Sequence, residues 1–172
     1  LQALQIDPDN RAGRRGVRLA ALKKHEHSYP STMSIKLGTA GAKMGMMNPN
    51  ADRRMAAYES YLKVDPKNVK VNLQLAEIAE KAGYTQAAIG TLEGLVEAAP
   101  KEVEAYVQLG RLLGPSDPET AIQHLERALQ LNSKNQVALK LRKDIAAELS
   151  IKRTGFETAK HTHDLLRDAK KT

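Results

Sequence analysis

Cysteine and tryptophan are absent from this chain, phenylalanine occurs once, and aromatic residues make up only 3% of its 172 positions. Without cysteine there is neither a disulfide framework nor a thiolate metal site. With so few large rings, a core must be built from Leu, Ile, Val and Ala, which suits helices stacked through small side chains better than a sandwich or barrel. No apolar run approaches the ~20 residues of a membrane-spanning helix, and the first residues show no secretory pattern, so the cytoplasm is the expected location. The chain opens on Leu1 rather than on methionine. LQALQIDPDN reads as the second half of a helix pair whose first helix is missing, so a fragment of a longer protein is expected. The apolar residues of that opening, Leu1, Leu4 and Ile6, should then lack their natural cover, which suggests self-association through the open N-terminal end.

Charge is unevenly spread. Residues 1–54 hold 10 Lys and Arg against 4 Asp and Glu, residues 55–133 hold 7 against 11, and residues 134–172 hold 10 against 5. An acidic middle between basic flanks suggests charge-steered contacts at the ends.

What the chain has in quantity is periodic helix. VKVNLQLAEIAEKAGYTQAAIGTLEGLVEAAP, Val69 to Pro100, reads as two amphipathic helices joined at Gly83 and closed by proline. The same closing pattern stands at Val64-Asp65-Pro66-Lys67-Asn68 and, with serine for proline, at Leu131-Asn132-Ser133-Lys134-Asn135. The steps from Pro66 to Pro100 and on to Ser133 are 34 and 33 residues. A period near 34 built of paired helices marks a helical repeat array.

These positions resemble the tetratricopeptide-repeat family. Leu75-Ala76, Gly83, Ala88 and Pro100 match its pattern in one repeat. Tyr106, Leu109-Gly110, Ala121 and Ala128 match it in the next. Asn72, Leu95 and Ser133 depart from it. The fold implied is all-α, a right-handed α-solenoid of antiparallel helix pairs. Along the chain this gives the end of an upstream repeat plus a basic helix at 1–27, an irregular repeat at 31–68, repeats at 69–102 and 103–135, a capping helix at 136–153, and at 154–172 a polar basic tail that either stays irregular or forms a short helix. Thr154-Gly155 is expected to break the capping helix. Asn50 or Asp52 should cap the helix after the Met46–Asn50 loop. Asp117, followed by Pro118 at the first turn, should cap another. Leu75, Ala79, Ile89, Leu92, Leu109, Ile122 and Leu125 are expected core residues, with Ala88 and Ala121 at close helix contacts.

No catalytic motif is present. GTAGAKMG lacks the G-x-x-x-x-G-K-[ST] spacing of a phosphate loop, and its small residues suit close helix packing. His25-x-His27 and His161-x-His163 place their rings on different faces of a helix, unlike the i, i+4 spacing of zinc-binding helices. No cofactor, metal or enzymatic activity is therefore expected, and His124 reads as a surface or packing residue.

The family resemblance implies a concave surface lined by the first helix of each repeat, where a peptide or helix of another protein binds. Carried over residue by residue, the partner-binding positions are Lys70, Leu73, Gln74, Glu77 and Lys81, then Glu104, Val107, Gln108 and Arg111. Leu73 and Glu77 stand where the co-chaperone members place a carboxylate-binding Lys and Asn set, so that specificity does not carry over. Leu73 and Val107 suggest apolar anchors flanked by mixed charge. The alternative is nucleic-acid or acidic-surface binding through the basic flanks, because Arg11, Arg14, Arg15 and Arg18 nearly form a stripe.

Overall fold

The computed structural model describes Leu4 and residues 7–169, with side chains described as far as Thr154. Among the described residues there are eight helices and no strand. They are α1 (Arg11–Lys24), α2 (Thr32–Gly45), α3 (Ala51–Leu62), α4 (Val69–Lys81), α5 (Thr85–Ala98), α6 (Val103–Leu113), α7 (Pro118–Leu131) and α8 (Gln136–Ala169).

Local chemistry sets the boundaries. A cap side chain accepts from a first-turn amide at Asn10, Ser31, Asn50, Asn68 and Asp117, satisfying donors that would otherwise be orphaned. Asn50, not Asp52, therefore caps α3, at 3.0 Å from the Arg53 amide. Asp117 accepts from the Thr120 amide at 3.1 Å, with Pro118 opening α7. Gly83 ends α4 with φ +84°, a left-handed conformation that glycine adopts without steric penalty.

The helices pair as α2 with α3, α4 with α5, and α6 with α7, and α8 closes the row against α7 and α6. Linkers of a few residues leave each pair antiparallel. Leu62, Leu75, Ile89, Leu92, Leu95, Leu109 and Leu125 are fully buried, each contributing about 1.5–3 kcal/mol of transfer free energy. Ala79, Ala88 and Ala121 are buried completely. Ile122 is only partly buried, at the margin of the core. Asn72, where the repeat pattern has a large residue, is fully buried and donates to Pro66 O and Asn68 O, at 3.1 and 2.9 Å. It ties the turn before α4 to the helix.

Two arrangements differ from expectation. The break at Thr154-Gly155 does not occur, and α8 runs through both residues to Ala169. A single interior glycine costs a helix only about 1 kcal/mol, and neither proline nor a competing cap follows. The second concerns α1, whose basic stripe was expected at an open flank, but which packs against α5, some seventy residues downstream. Of the opening segment expected to be helical and uncovered, Leu1 and Ile6 lie outside the described residues, while Leu4 is half-buried.

Candidate functional site

The concavity lies between α4 and α6, the first helices of two successive pairs. It encloses about 470 Å³ and is lined by Val69, Lys70, Leu73, Gln74, Glu77 and Glu80 from α4, with Gln108 and Arg111 from α6. Helical spacing explains the set. Lys70, Leu73, Gln74, Glu77 and Lys81 recur at three- and four-residue steps, so they share one face, while Leu75, Ala76 and Ala79 on the other face are buried.

Six of the nine residues expected at a binding surface meet here: Lys70, Leu73, Gln74, Glu77, Gln108 and Arg111. Lys81 pairs with Glu77 at 2.5 Å beyond the lining. Glu104 is exposed and accepts from Gln108 Nε2 at 3.0 Å. Val107 is different, since at 4% exposure it is a core residue and offers no anchor to a partner. Its neighbour Gln108, one position round the helix, takes the open side.

Glu80 was not anticipated. Arg111 reaches across from α6 and grips its carboxylate with both guanidinium nitrogens, each at 2.6 Å. That two-pronged hydrogen bond pulls the Glu80 carboxyl below its usual range and raises Arg111 above its own. The pair is 43% and 33% exposed, so it adds little to stability. Its effect is to fix Arg111 as a bridge across the concavity. The sequence signal was acid at the last turn of α4 facing base at the last turn of α6, invisible without knowing that the two helices are adjacent.

The basic stripe has another fate. Arg11 donates to both Glu93 carboxylate oxygens and Arg15 to Glu97, all on α5. Arg14 donates to Glu59 on α3 at 2.9 Å, and Arg18 stands 3.5 Å from the second oxygen of the same carboxylate. Arg14, Arg18 and Glu59 are almost completely buried. Burial holds the Arg18 guanidinium below its ordinary value, with Arg14 adding to the effect and Glu59 opposing it.

Contacts advance in register along both helices, so α1 runs in the same direction as α5. Asp9 accepts from the Ala87 amide at 2.8 Å and caps the start of α5, whose own cap position, Tyr84, makes no side-chain capping bond. Close approach is possible because α5 presents Gly90 and Gly94. A Cβ on Gly90 would lie 2.3 Å from Arg11 O, and one on Gly94 would lie 2.8 Å from the Arg18 side chain. The sequence signal for this docking was the Gly90-x-x-x-Gly94 spacing inside a helix, together with acids at Glu93 and Glu97.

Among the described residues no group of three or more His, Asp or Glu is placed to hold a metal. His25 Nε2 lies 3.3 Å from Lys63 O, and His124 is half-buried beside the Tyr106 ring. The side chains of His161 and His163 lie outside the described residues. No described helix is long and apolar enough to cross a membrane.

No family model matches the chain. Protein CTR9 homolog of Arabidopsis thaliana is 27% identical over 148 residues, a stretch that is 82% of this chain and 13% of that protein. The chain thus spans a small part of the length of this curated relative. Among solved structures, the first TPR of Spaghetti (RPAP3), bound to the HSP90 peptide SRMEEVD, superposes with a TM-score of 0.58 at 17% identity, covering 71% of this chain and 98% of that one. A crystal structure of MamA gives 0.57 at 25% identity, covering 69% and 66%.

Proposed function

We propose, from the premise that this chain is an all-α solenoid of the tetratricopeptide type, that it is a non-enzymatic scaffold whose α4/α6 concavity binds an extended segment of another protein. The observation that carries the reading is the convergence of Lys70, Leu73, Gln74, Glu77, Gln108 and Arg111 on one open volume. Leu73 supplies an apolar anchor. Gln74 and Gln108 can each donate to and accept from a peptide backbone. Lys70 and Arg111 are balanced by Glu77 and Glu80, so the concavity suits a segment of mixed charge rather than a polyanion.

The fold neighbour solved with an HSP90 peptide supports a segment of this kind as ligand, although Leu73 and Glu77 give this concavity a different chemistry. Engagement of Arg11, Arg14, Arg15 and Arg18 by Glu59, Glu93 and Glu97 further favours a protein partner over nucleic acid, because three carboxylates offset most of the stripe's charge.

The test is selection of random extended peptides on the immobilised chain. Leu73→Glu combined with Glu77→Lys should abolish the enrichment seen with the parent while leaving far-UV circular dichroism unchanged. Enrichment of the same peptides by both proteins would refute the assignment.

A further inference from the structure

The geometry points to a second interaction surface, the outward face of α2, built to receive an acidic amphipathic helix of a partner protein. This helix is apolar on two sides. Ile35, Thr39, Ala42 and Met46 are turned inward, with Thr39 fully buried and Ala42 and Met46 packed against the core. The opposite side carries Met33, Leu37 and Met44, which are 74%, 80% and 82% exposed, and Met47 just beyond the helix at 88%. Among the described residues, only α3 packs substantially against α2. A helix apolar around most of its circumference belongs between two neighbours, and the described residues supply one.

Spacing and charge identify the neighbour. Met33, Leu37, Ala40, Met44 and Met47 follow steps of four, three, four and three, the seam of a helix that packs against another helix along its length. Midway, at Gly41, an added Cβ would meet nothing within 4 Å, so Ala40-Gly41 leaves a shallow notch between flexible methionines that can fill an irregular partner surface. Taking Met33 and Ala40 as d positions and Leu37 and Met44 as a, Lys36 and Lys43 both occupy g, and α2 contains no acid.

An antiparallel second copy would set these lysines against each other, and a parallel one would set them against Ser34 and Gly41, which offer no charge. Glutamates flanking an apolar seam would pair with them instead. A lipid surface is the weaker fit. The exposed strip is one seam wide, carries no aromatic residue and has its other face packed on α3, unlike helices that lie in a membrane interface.

The experiment uses the intact chain and two synthetic 21-residue helical peptides with leucine at a and d, one with Glu and the other with Lys at e and g. Fluorescence anisotropy should show the acidic peptide binding about tenfold more tightly than the basic one. Leu37→Asp should abolish binding of both. The double variant Lys36→Glu, Lys43→Glu should reverse the preference, a result that partial unfolding could not produce. Equal affinity for the two peptides, or a preference that the double variant leaves unchanged, would overturn the proposal. So would a concentration-dependent dimer abolished by Leu37→Asp without acidic-peptide binding, which would make a second copy the occupant. Leu37-dependent sedimentation with anionic phospholipid vesicles, again without peptide binding, would make it a membrane and equally overturn the proposal.

Discussion

Gly90→Ala should destabilise the protein, contrary to its effect on an isolated helix. Alanine in a helix interior is favoured over glycine by about 1 kcal/mol, so without docked α1 the substitution would stabilise α5. With α1 in place the new Cβ would stand 2.3 Å from Arg11 O and 3.0 Å from Arg11 C and Cα. These are backbone atoms in the first turn of α1, and no rotamer change relieves them. The whole helix must retreat by roughly 1 Å to restore an ordinary contact. That retreat stretches the Asp9 cap on Ala87, the Arg11 and Arg15 pairs, and the buried Arg14–Glu59 contact. Overpacking of this kind costs about 1–3 kcal/mol, enough to cancel the propensity gain and leave a net loss near 1 kcal/mol. For a chain of this size that corresponds to a fall of about 2–4 °C in melting temperature. Gly16→Ala is the control, because its Cβ would meet nothing within 4 Å, and it should raise the melting temperature. Thermal and urea unfolding followed at 222 nm compare the two. If Gly90→Ala stabilises as much as Gly16→Ala, α1 is not docked against α5.

Further outcomes follow from the buried and half-buried polar groups. Glu59→Gln leaves Arg14 and Arg18 buried without a counter-charge and should cost about 3–5 kcal/mol. Arg18→Met should cost far less in urea unfolding, since the Arg18 guanidinium makes no hydrogen bond. Equal losses for the two would refute the assignment of Glu59 as the shared counter-charge. Burial, with the Asp65 hydrogen bond next, pushes the Tyr29 hydroxyl up to about 12. Its folded pKa exceeds the unfolded value of 10.0, so its contribution is complete below pH 10 and is lost as pH rises toward 12. Burial raises Tyr61 as well, and a hydrogen bond to Asp52 raises Tyr84, so Tyr29→Phe should remove one tyrosine's amplitude from the late part of the titration at 295 nm. Glu80 shifts the opposite way, its carboxyl held down by Arg111. Its contribution is present above the ordinary carboxylate value of 4.5 and fades as pH falls below it, so Glu80→Gln should flatten part of the acid limb of a stability-versus-pH curve.

Much of the array was legible in the residues alone, because repeat architecture is written locally. The 34-residue step, Gly83 at a left-handed helix end, Asp117-Pro118 opening α7 and the alanines at 88 and 121 each specify a boundary or a close contact through chemistry within one or two turns. Lys70, Leu73, Gln74 and Glu77 were named through the family resemblance, and helical spacing puts them on the one face that lines the concavity. Val107 shows the limit. One step of 100° separates it from Gln108, and only the position of the neighbouring helices decides which of the two is covered.

The role of the basic stripe could not be read from sequence. Arg11 and Glu93 lie 82 residues apart, and a run of arginines looks the same whether it faces solvent or a row of glutamates. Tertiary structure alone brought α1 to α5, gave Asp9 the start of α5 to cap, and showed why Gly90 and Gly94 interrupt an otherwise good helix. The sequence by itself determined a helical repeat array, its period and most of its helix boundaries. The packing of non-consecutive helices decided which charges were already spoken for and which apolar face was left open. That division follows from range: helix formation, caps and period are set by neighbours a few residues away, whereas burial and charge pairing depend on what arrives from elsewhere in the chain.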